Sequence, residues 1–328
     1  MADTRHPARQ RGPRRGPSLA TVGPVRAFSV VILAFTVVAS PAATQTVTPP
    51  PVSDVSPSLR AVIDQAKDGD AKAQYDIGLA YESGSGVTKD YAKALEWYRR
   101  AADQGSPEGM RAAAILYNMG KGVKRDLNAA VQLYMQAADM GDVGAANNLA
   151  VMYQRGDAIG ADYRLAAKWY QRASDLGDLR ARANLGDLYL KGEGVEQDTE
   201  KGLKMIREGA EAGFDGAMYS LAFAYEFGIG MPADHKEALT WVRQSAEAGN
   251  VCAAMALGGV LDEGDGVPRD RVEALAWFIV ADTRAATSSE AHEVLRDIEH
   301  SLGTALKSLT AAQVAEARRR AAEILRDN

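Results

Sequence analysis

Apolar residues recur at helical spacing along residues 70–285 and are interrupted at a fixed interval. In the first stretch Ala73, Ile77, Ala80 and Tyr81 share one helical face. Gly84-Ser85-Gly86-Val87 then breaks the pattern, and Ala94, Leu95, Trp97, Tyr98, Ala101 and Ala102 resume it. The spacing predicts two antiparallel helices joined by a short turn. The same unit returns every 36 residues without insertion, which marks a stacked architecture. One column holds Gly84, Gly120, Gly156, Gly192, Gly228 and Gly264, and another Asp90, Asp126, Asp162, Asp198, Asp234 and Asp270. A third runs Tyr81, Tyr117, Tyr153, Tyr189 and Tyr225, closing with Leu261. A fourth is apolar throughout: Val87, Val123, Ile159, Val195, Met231 and Val267. The six units are 70–105, 106–141, 142–177, 178–213, 214–249 and 250–285.

Each column has a local physical reason. A helix ends readily on a residue in the left-handed conformation, which glycine adopts without a side-chain clash, so Gly84 and its equivalents are expected to stop the first helix. Asp90 and its equivalents are expected to accept from the free N–H groups that open the second helix. Gly105, Gly141, Gly177, Gly213 and Gly249 should end the second helices, with Ser106, Asp142, Asp178, Asp215 and Asn250 capping the next first helices. In Ser106-Pro107 the proline falls where its missing N–H is harmless.

The pattern also departs from itself. In the third unit Ala158 replaces the second turn glycine, with Gly160 two places on, so that turn is expected to be rebuilt. In the fourth, Gly202 and Gly209 replace alanines. At about 1 kcal/mol each they are expected to weaken that helix.

No single hairpin can bury its apolar stripe, so the units must shelter one another. Small residues recur at Ala73, Gly109, Ala145, Ala181, Ala217 and Ala253. Large ones recur opposite them at Trp97, Leu133, Trp169, Met205, Trp241 and Trp277, as interlocking helices require. Segments at either end lie outside the period and are expected to cap the stack. A helix from Ser58 to Lys67, within residues 58–69, covers the first unit. Residues 286–328 supply a helix from Ser289 to Leu302, ended by Gly303, and another from Ala311 with Thr310 and Gln313 as its capping box.

Ahead of these, Arg5, Arg9, Arg11, Arg14, Arg15 and Arg26 precede the uncharged apolar run Ala27–Ala39, followed by Ser40, Pro41, Ala42 and Ala43. That order is expected of an export signal over residues 1–43, cut near Ala42 or Ala43. An uncleaved anchor is the rival reading, although the run falls short of the ~20 residues a span needs. The proline- and threonine-rich residues 44–57 read as a linker. Setting the signal aside removes six arginines and one acid from totals of 38 basic and 43 acidic residues, leaving 32 against 42, a net charge of −10. Such a balance argues against nucleic acid or an anionic membrane surface as the main partner.

Little in the chain suggests catalysis. Cys252 is the only cysteine, so no intrachain disulfide can form, and its apolar surroundings suggest a small buried filler. His6, His235, His292 and His300 show no metal-ligand spacing, and no nucleophile elbow or phosphate loop occurs. The glycine pairs Gly84/Gly86 and Gly192/Gly194 belong to the repeat turn. No cofactor or metal is expected.

The unit resembles the Sel-one-like repeat family, relatives of the tetratricopeptide repeats. Ile77-Gly78, Tyr81, Gly84, Gly86, Val87, Asp90, Ala94, Trp97-Tyr98 and Ala101-Ala102 carry the likeness, which covers residues 70–285. It implies an all-α fold, a right-handed αα-hairpin solenoid of six 36-residue repeats with helical caps. Together with the signal over 1–43 and the missing catalytic motifs, it implies a monomeric, non-enzymatic scaffold or regulator, periplasmic or secreted, which binds a protein or peptide on a concave face lined by the first helices and acts in envelope signalling. By register that face would carry Lys72, Tyr75, Leu79 and Glu82; then Glu108, Arg111, Ile115 and Asn118; then Asn147, Val151 and Gln154. The fourth and fifth units would add Arg180, Asp187, Leu190, Tyr219, Phe223 and Glu226. Phe227 continues the Tyr219–Phe223 stripe and is expected in the core between repeats, whereas Tyr219 and Phe223 suit that core and an interface anchor equally. A cysteine-rich branch of the family implies the alternative, a peptidoglycan- or β-lactam-binding cell-wall protein or hydrolase, but its cysteines are missing here.

Overall fold

A computed structural model describes residues 57–156, 160–287 and 295–327, which form fifteen α-helices and no strand. The expected signal and nearly all of the linker lie outside the described residues, as does Ala158. Helix α1 (Pro57–Lys67) precedes six hairpins. The first helices are α2 (Ala71–Ser83), α4 (Pro107–Met119), α6 (Val143–Arg155), α8 (Leu179–Lys191), α10 (Asp215–Phe227) and α12 (Val251–Glu263). The second helices are α3 (Tyr91–Asp103), α5 (Leu127–Asp139), α7 (Tyr163–Asp175), α9 (Thr199–Glu211), α11 (His235–Glu247) and α13 (Arg271–Thr287). Helices α14 (Leu295–Ser308) and α15 (Ala311–Asp327) follow. Each repeat helix packs on its neighbours in sequence, and α13 receives both α14 and α15. This is the αα-hairpin solenoid that the period demands.

The turn chemistry is the expected one. Gly84 takes φ 81°, and its N–H returns to the carbonyl of Ala80. Asp90 Oδ1 accepts from the N–H groups of Ala92 and Lys93 at 3.0 and 3.1 Å. The structure adds a bond that no column announced. The Asp90 N–H donates to the Tyr81 carbonyl at 2.9 Å, and the equivalent bond from Asp126, Asp162, Asp198, Asp234 and Asp270 closes every other unit at 2.9–3.0 Å. Each aspartate therefore fixes the turn through its backbone and starts the next helix through its side chain.

Between hairpins the large column is buried where it holds tryptophan in the first, third and sixth units, at Trp97, Trp169 and Trp277, each no more than 6 % exposed. Leu133, Met205 and Trp241 are half-buried. At the far end Thr310 and Gln313 form the expected capping box, with the Thr310 N–H donating to Gln313 Oε1 at 3.0 Å.

Four expectations need correction. The cap of α10 is Phe214, not Asp215, and it offers no side-chain acceptor, because the phenyl packs into the Leu221 cluster and position 214 is the one aligned with Ser106, Asp142, Asp178 and Asn250. Gly303 does not end a helix. Helix α14 runs through it to Ser308, since continuing buries Ala305 against the last hairpin. Cys252 is exposed rather than a buried filler, because its neighbours Ala253 and Ala254 take the inward face of α12. Gly202 and Gly209 lie where α9 meets its neighbours most closely. A β-carbon on Gly209 would stand 2.7 Å from that of Ala183, so the missing methyl groups make room for contact.

Candidate partner-binding face

The first helices hold their inward residues against the second helices and leave a strip of positions facing away, whose chemistry changes from unit to unit. In α2, Lys72 is exposed and pairs with Asp76 at 2.8 Å, while Leu79 is 41 % exposed. Tyr75 is half-buried, its ring centroid 5.6 Å from that of Tyr98. Glu82 serves the frame of the hairpin. Its Oε2 accepts from the Tyr98 hydroxyl at 2.6 Å, a bond that joins the two helices; burial, and then this bond, hold that phenol far above its ordinary pKa.

In α4, Glu108 accepts from the Ser106 hydroxyl at 3.0 Å. Arg111 reaches into the next unit, Nε to Asp142 Oδ2 at 3.0 Å, and the other oxygen of that carboxylate caps α6 through the Ala145 N–H at 2.7 Å. Ile115 is half-buried. The backbone carbonyl of Asn118 accepts from Arg125 Nε at 2.8 Å, anchoring the following turn.

In α6, Asn147 Oδ1 is buried without a hydrogen-bond partner and Val151 is half-buried. Gln154 repeats the role of Glu82, accepting from the Tyr170 hydroxyl at 2.7 Å. Asn148, which sequence reasoning did not select, lies near the Tyr134 hydroxyl, which burial pushes up to about 12.

Arg180 on α8 is exposed, its guanidinium 5.2 Å from the centre of the Phe214 ring, and Leu190 packs into the Ile206 cluster. Asp187 stands apart. Its Oδ2 accepts from the Ser220 hydroxyl on α10 at 3.2 Å, and burial pushes its carboxyl up to about 6. On α10, Tyr219 and Phe223 are half-buried and Phe227 is 42 % exposed, the Phe223 and Phe227 rings 4.4 Å apart. Glu226 meets His235 Nδ1 at 3.0 Å, and that bond raises the imidazole pKa.

The register therefore separates into two kinds of position. Glu82, Gln154 and Leu190 face the second helices and belong to the frame. The Leu79, Ile115, Val151, Asp187, Phe223 and Gly259 row, with Tyr75, Asn147, Tyr219 and Asn148 beside it, is the candidate surface, half-buried except at Leu79. The missed signal was pairing: the position 16 residues after Glu82 and Gln154 is tyrosine, whereas after Leu190 it is Ile206. Among the described residues no group of three or more His, Cys, Asp or Glu side chains could hold a metal, and no helix is long and apolar enough to cross a membrane. His292 lies outside the described residues.

A family model described as Sel1 repeat matches residues 71–106, 107–142, 143–178, 179–214, 216–250 and 253–281. Among solved structures, a Sel1 repeat protein from Oxalobacter formigenes is similar at a TM-score of 0.63 and 29% identity, over 69% of this chain and 97% of that one. The protein c5321, a protective antigen of uropathogenic Escherichia coli strains with an SLR fold, is similar at a TM-score of 0.58 and 28% identity. That match covers 81% of this chain and 56% of c5321. In the ubiquitin-ligase component HRD3A of Arabidopsis thaliana, 47 residues are 47% identical, amounting to 14% of this chain and 7% of that protein. With six matched repeats spanning most of its length, the chain belongs to the Sel1 repeat family.

Proposed function

We propose that this protein is an exported protein-interaction scaffold, acting in envelope signalling, whose first-helix face holds a protein or peptide partner. Sel1 repeats generally serve as scaffolds for protein interactions. One observation carries the assignment of the face: an invariant frame of glycine and aspartate columns presents a row that is aliphatic at Leu79, Ile115 and Val151, acidic at Asp187 and aromatic at Phe223. A purely structural row has no reason to pass from aliphatic residues to a carboxylate and then to an aromatic ring at one position. Half-buried aromatics such as Tyr219 and Phe223 are the side chains that anchor interfaces. Export is supported by the order of charged, apolar and small residues over 1–43.

Crosslinking in the producing cell, with fractionation and mass spectrometry, tests both parts. Wild-type protein is expected in the periplasmic or secreted fraction, shortened near Ala42 or Ala43, and crosslinked to a small set of proteins. Leu79→Asp and Phe223→Asp should lose those crosslinks while keeping the circular dichroism of a helical protein. An unchanged crosslink pattern in both variants defeats the assignment of the face, and a full-length cytoplasmic product defeats export.

A further inference from the structure

We propose that the partner segment carries a lysine or arginine next to an apolar residue, the cation pairing with Asp187 and the apolar side chain resting on Phe223. This names the partner chemistry of the face described above and rests on that reading.

Five of the six positions in the row Leu79, Ile115, Val151, Asp187, Phe223 and Gly259 are apolar, and a carboxylate interrupts them at the fourth. The rest of the structure gives that carboxylate little support. Its one hydrogen bond comes from Ser220 at 3.2 Å, long for a hydroxyl donor to an ionised oxygen. No lysine, arginine or histidine nitrogen lies within 4.0 Å of it among the described residues. Lys191, one turn along α8, and Glu193 in the following turn act on it only at a distance and in opposite directions. An ionised carboxylate held this way is a half-buried charge without a counter-ion, which a cation from a partner would complete.

The surroundings select the kind of partner. Partial removal from water strengthens attraction to a cation delivered from outside. Ser220 joins Asp187 directly to α10, where Phe223 stands one turn further on with its ring against Phe227, a surface suited to an aliphatic stem or the face of a guanidinium. The net charge of −10 over residues 44–328 steers basic segments toward the molecule. An acidic segment would place two carboxylates together, and a wholly apolar one would cover the half-buried charge and leave it unpaired.

Random dodecapeptides displayed on phage and selected on the purified protein test this. Wild type is expected to enrich lysine or arginine several-fold beside an aliphatic or aromatic residue. Asp187→Asn should lose the basic preference and keep the apolar one, whereas Phe223→Ala should lose the apolar preference, both with helical circular dichroism intact. A selected peptide resynthesised with citrulline for arginine should bind wild type at least tenfold more weakly and Asp187→Asn unchanged. Equal basic content on wild type and Asp187→Asn, with selection still dependent on Phe223, overturns the cation and leaves the face standing. Selection indifferent to Leu79, Asp187 and Phe223, or no enrichment at all, removes the face and this inference with it.

Discussion

Gly186 and Gly202 oppose one another across the contact between α8 and α9, so that a β-carbon built on either would stand 2.7 Å from the carbonyl oxygen of the other. Helix propensity alone favours alanine over glycine by about 1 kcal/mol in a helix interior. Here the added methyl meets backbone, which cannot turn aside as a side chain can. The clash outweighs the propensity gain, and Gly202→Ala is expected to destabilise the protein by about 1–3 kcal/mol. Urea denaturation followed by circular dichroism measures it, and a stabilised variant would show that α9 has room to spare.

Burial raises the Asp187 carboxyl from 3.8 to about 6, and the direction of that shift fixes how stability changes with pH. Below about pH 4 the group is protonated in both folded and unfolded chains and has no effect. Between pH 4 and 6 the unfolded chain releases the proton first, so stability falls as pH rises, and above 6 the full penalty remains. A shift of this size corresponds to roughly 1–3 kcal/mol, allowing for partial solvent screening. Asp187→Asn should therefore gain on wild type by that amount between pH 4 and 7.5. Paired denaturation curves at the two pH values check it, and a pH-independent difference would mean that the carboxyl is solvated.

The Glu82–Tyr98 bond predicts a stability effect at a position that tetratricopeptide register assigns to binding. Removing the acceptor in Glu82→Ala leaves a buried phenol hydroxyl unpaired, at a cost of about 1–3 kcal/mol. Glu82→Gln keeps an acceptor, as Gln154 does for Tyr170, and should cost less than about 1 kcal/mol. Thermal unfolding separates the two. Equal melting temperatures for both variants would return Glu82 to the binding surface.

The period, the turn and the caps were legible because each rests on backbone conformations that few residues satisfy: left-handed geometry at Gly84, an oxygen at Asp90 and a staggered box at Thr310 and Gln313. The Asp90–Tyr81 backbone bond was invisible because any residue supplies an N–H and a carbonyl. Gly303 misled because glycine permits a helix to end without requiring it, and the burial of Ala305 decided otherwise. The face was legible only as a register. Which side chains turn inward depended on partners in the second helix, so Glu82 and Gln154 joined the frame, while Asn148 and Ser220 entered the surface unannounced. Cys252 showed the opposite limit, since an apolar neighbourhood in sequence still has an outward side.

The start of α10 shows burial overriding a cap and yields a graded prediction. Asp178 Oδ1 accepts from the Arg180 and Ala181 N–H groups at 2.8 and 3.1 Å, so Asp178→Ala should cost about 1 kcal/mol. Asp215 occupies the first turn of α10, where its charge suits the positive helix end and its Oδ2 accepts from Asn250 at 3.3 Å. Asp215→Ala should therefore cost only about 0.3–1 kcal/mol. At Phe214 an aspartate would add a cap worth about 1 kcal/mol but would forfeit the phenyl packing beside Leu221 and Arg180, worth about 1.5–3 kcal/mol. Phe214→Asp is thus expected to be the most destabilising of the three. Urea denaturation ranks them, and a Phe214→Asp protein more stable than wild type would mean that the ring contributes less than the hydrogen bond it excludes.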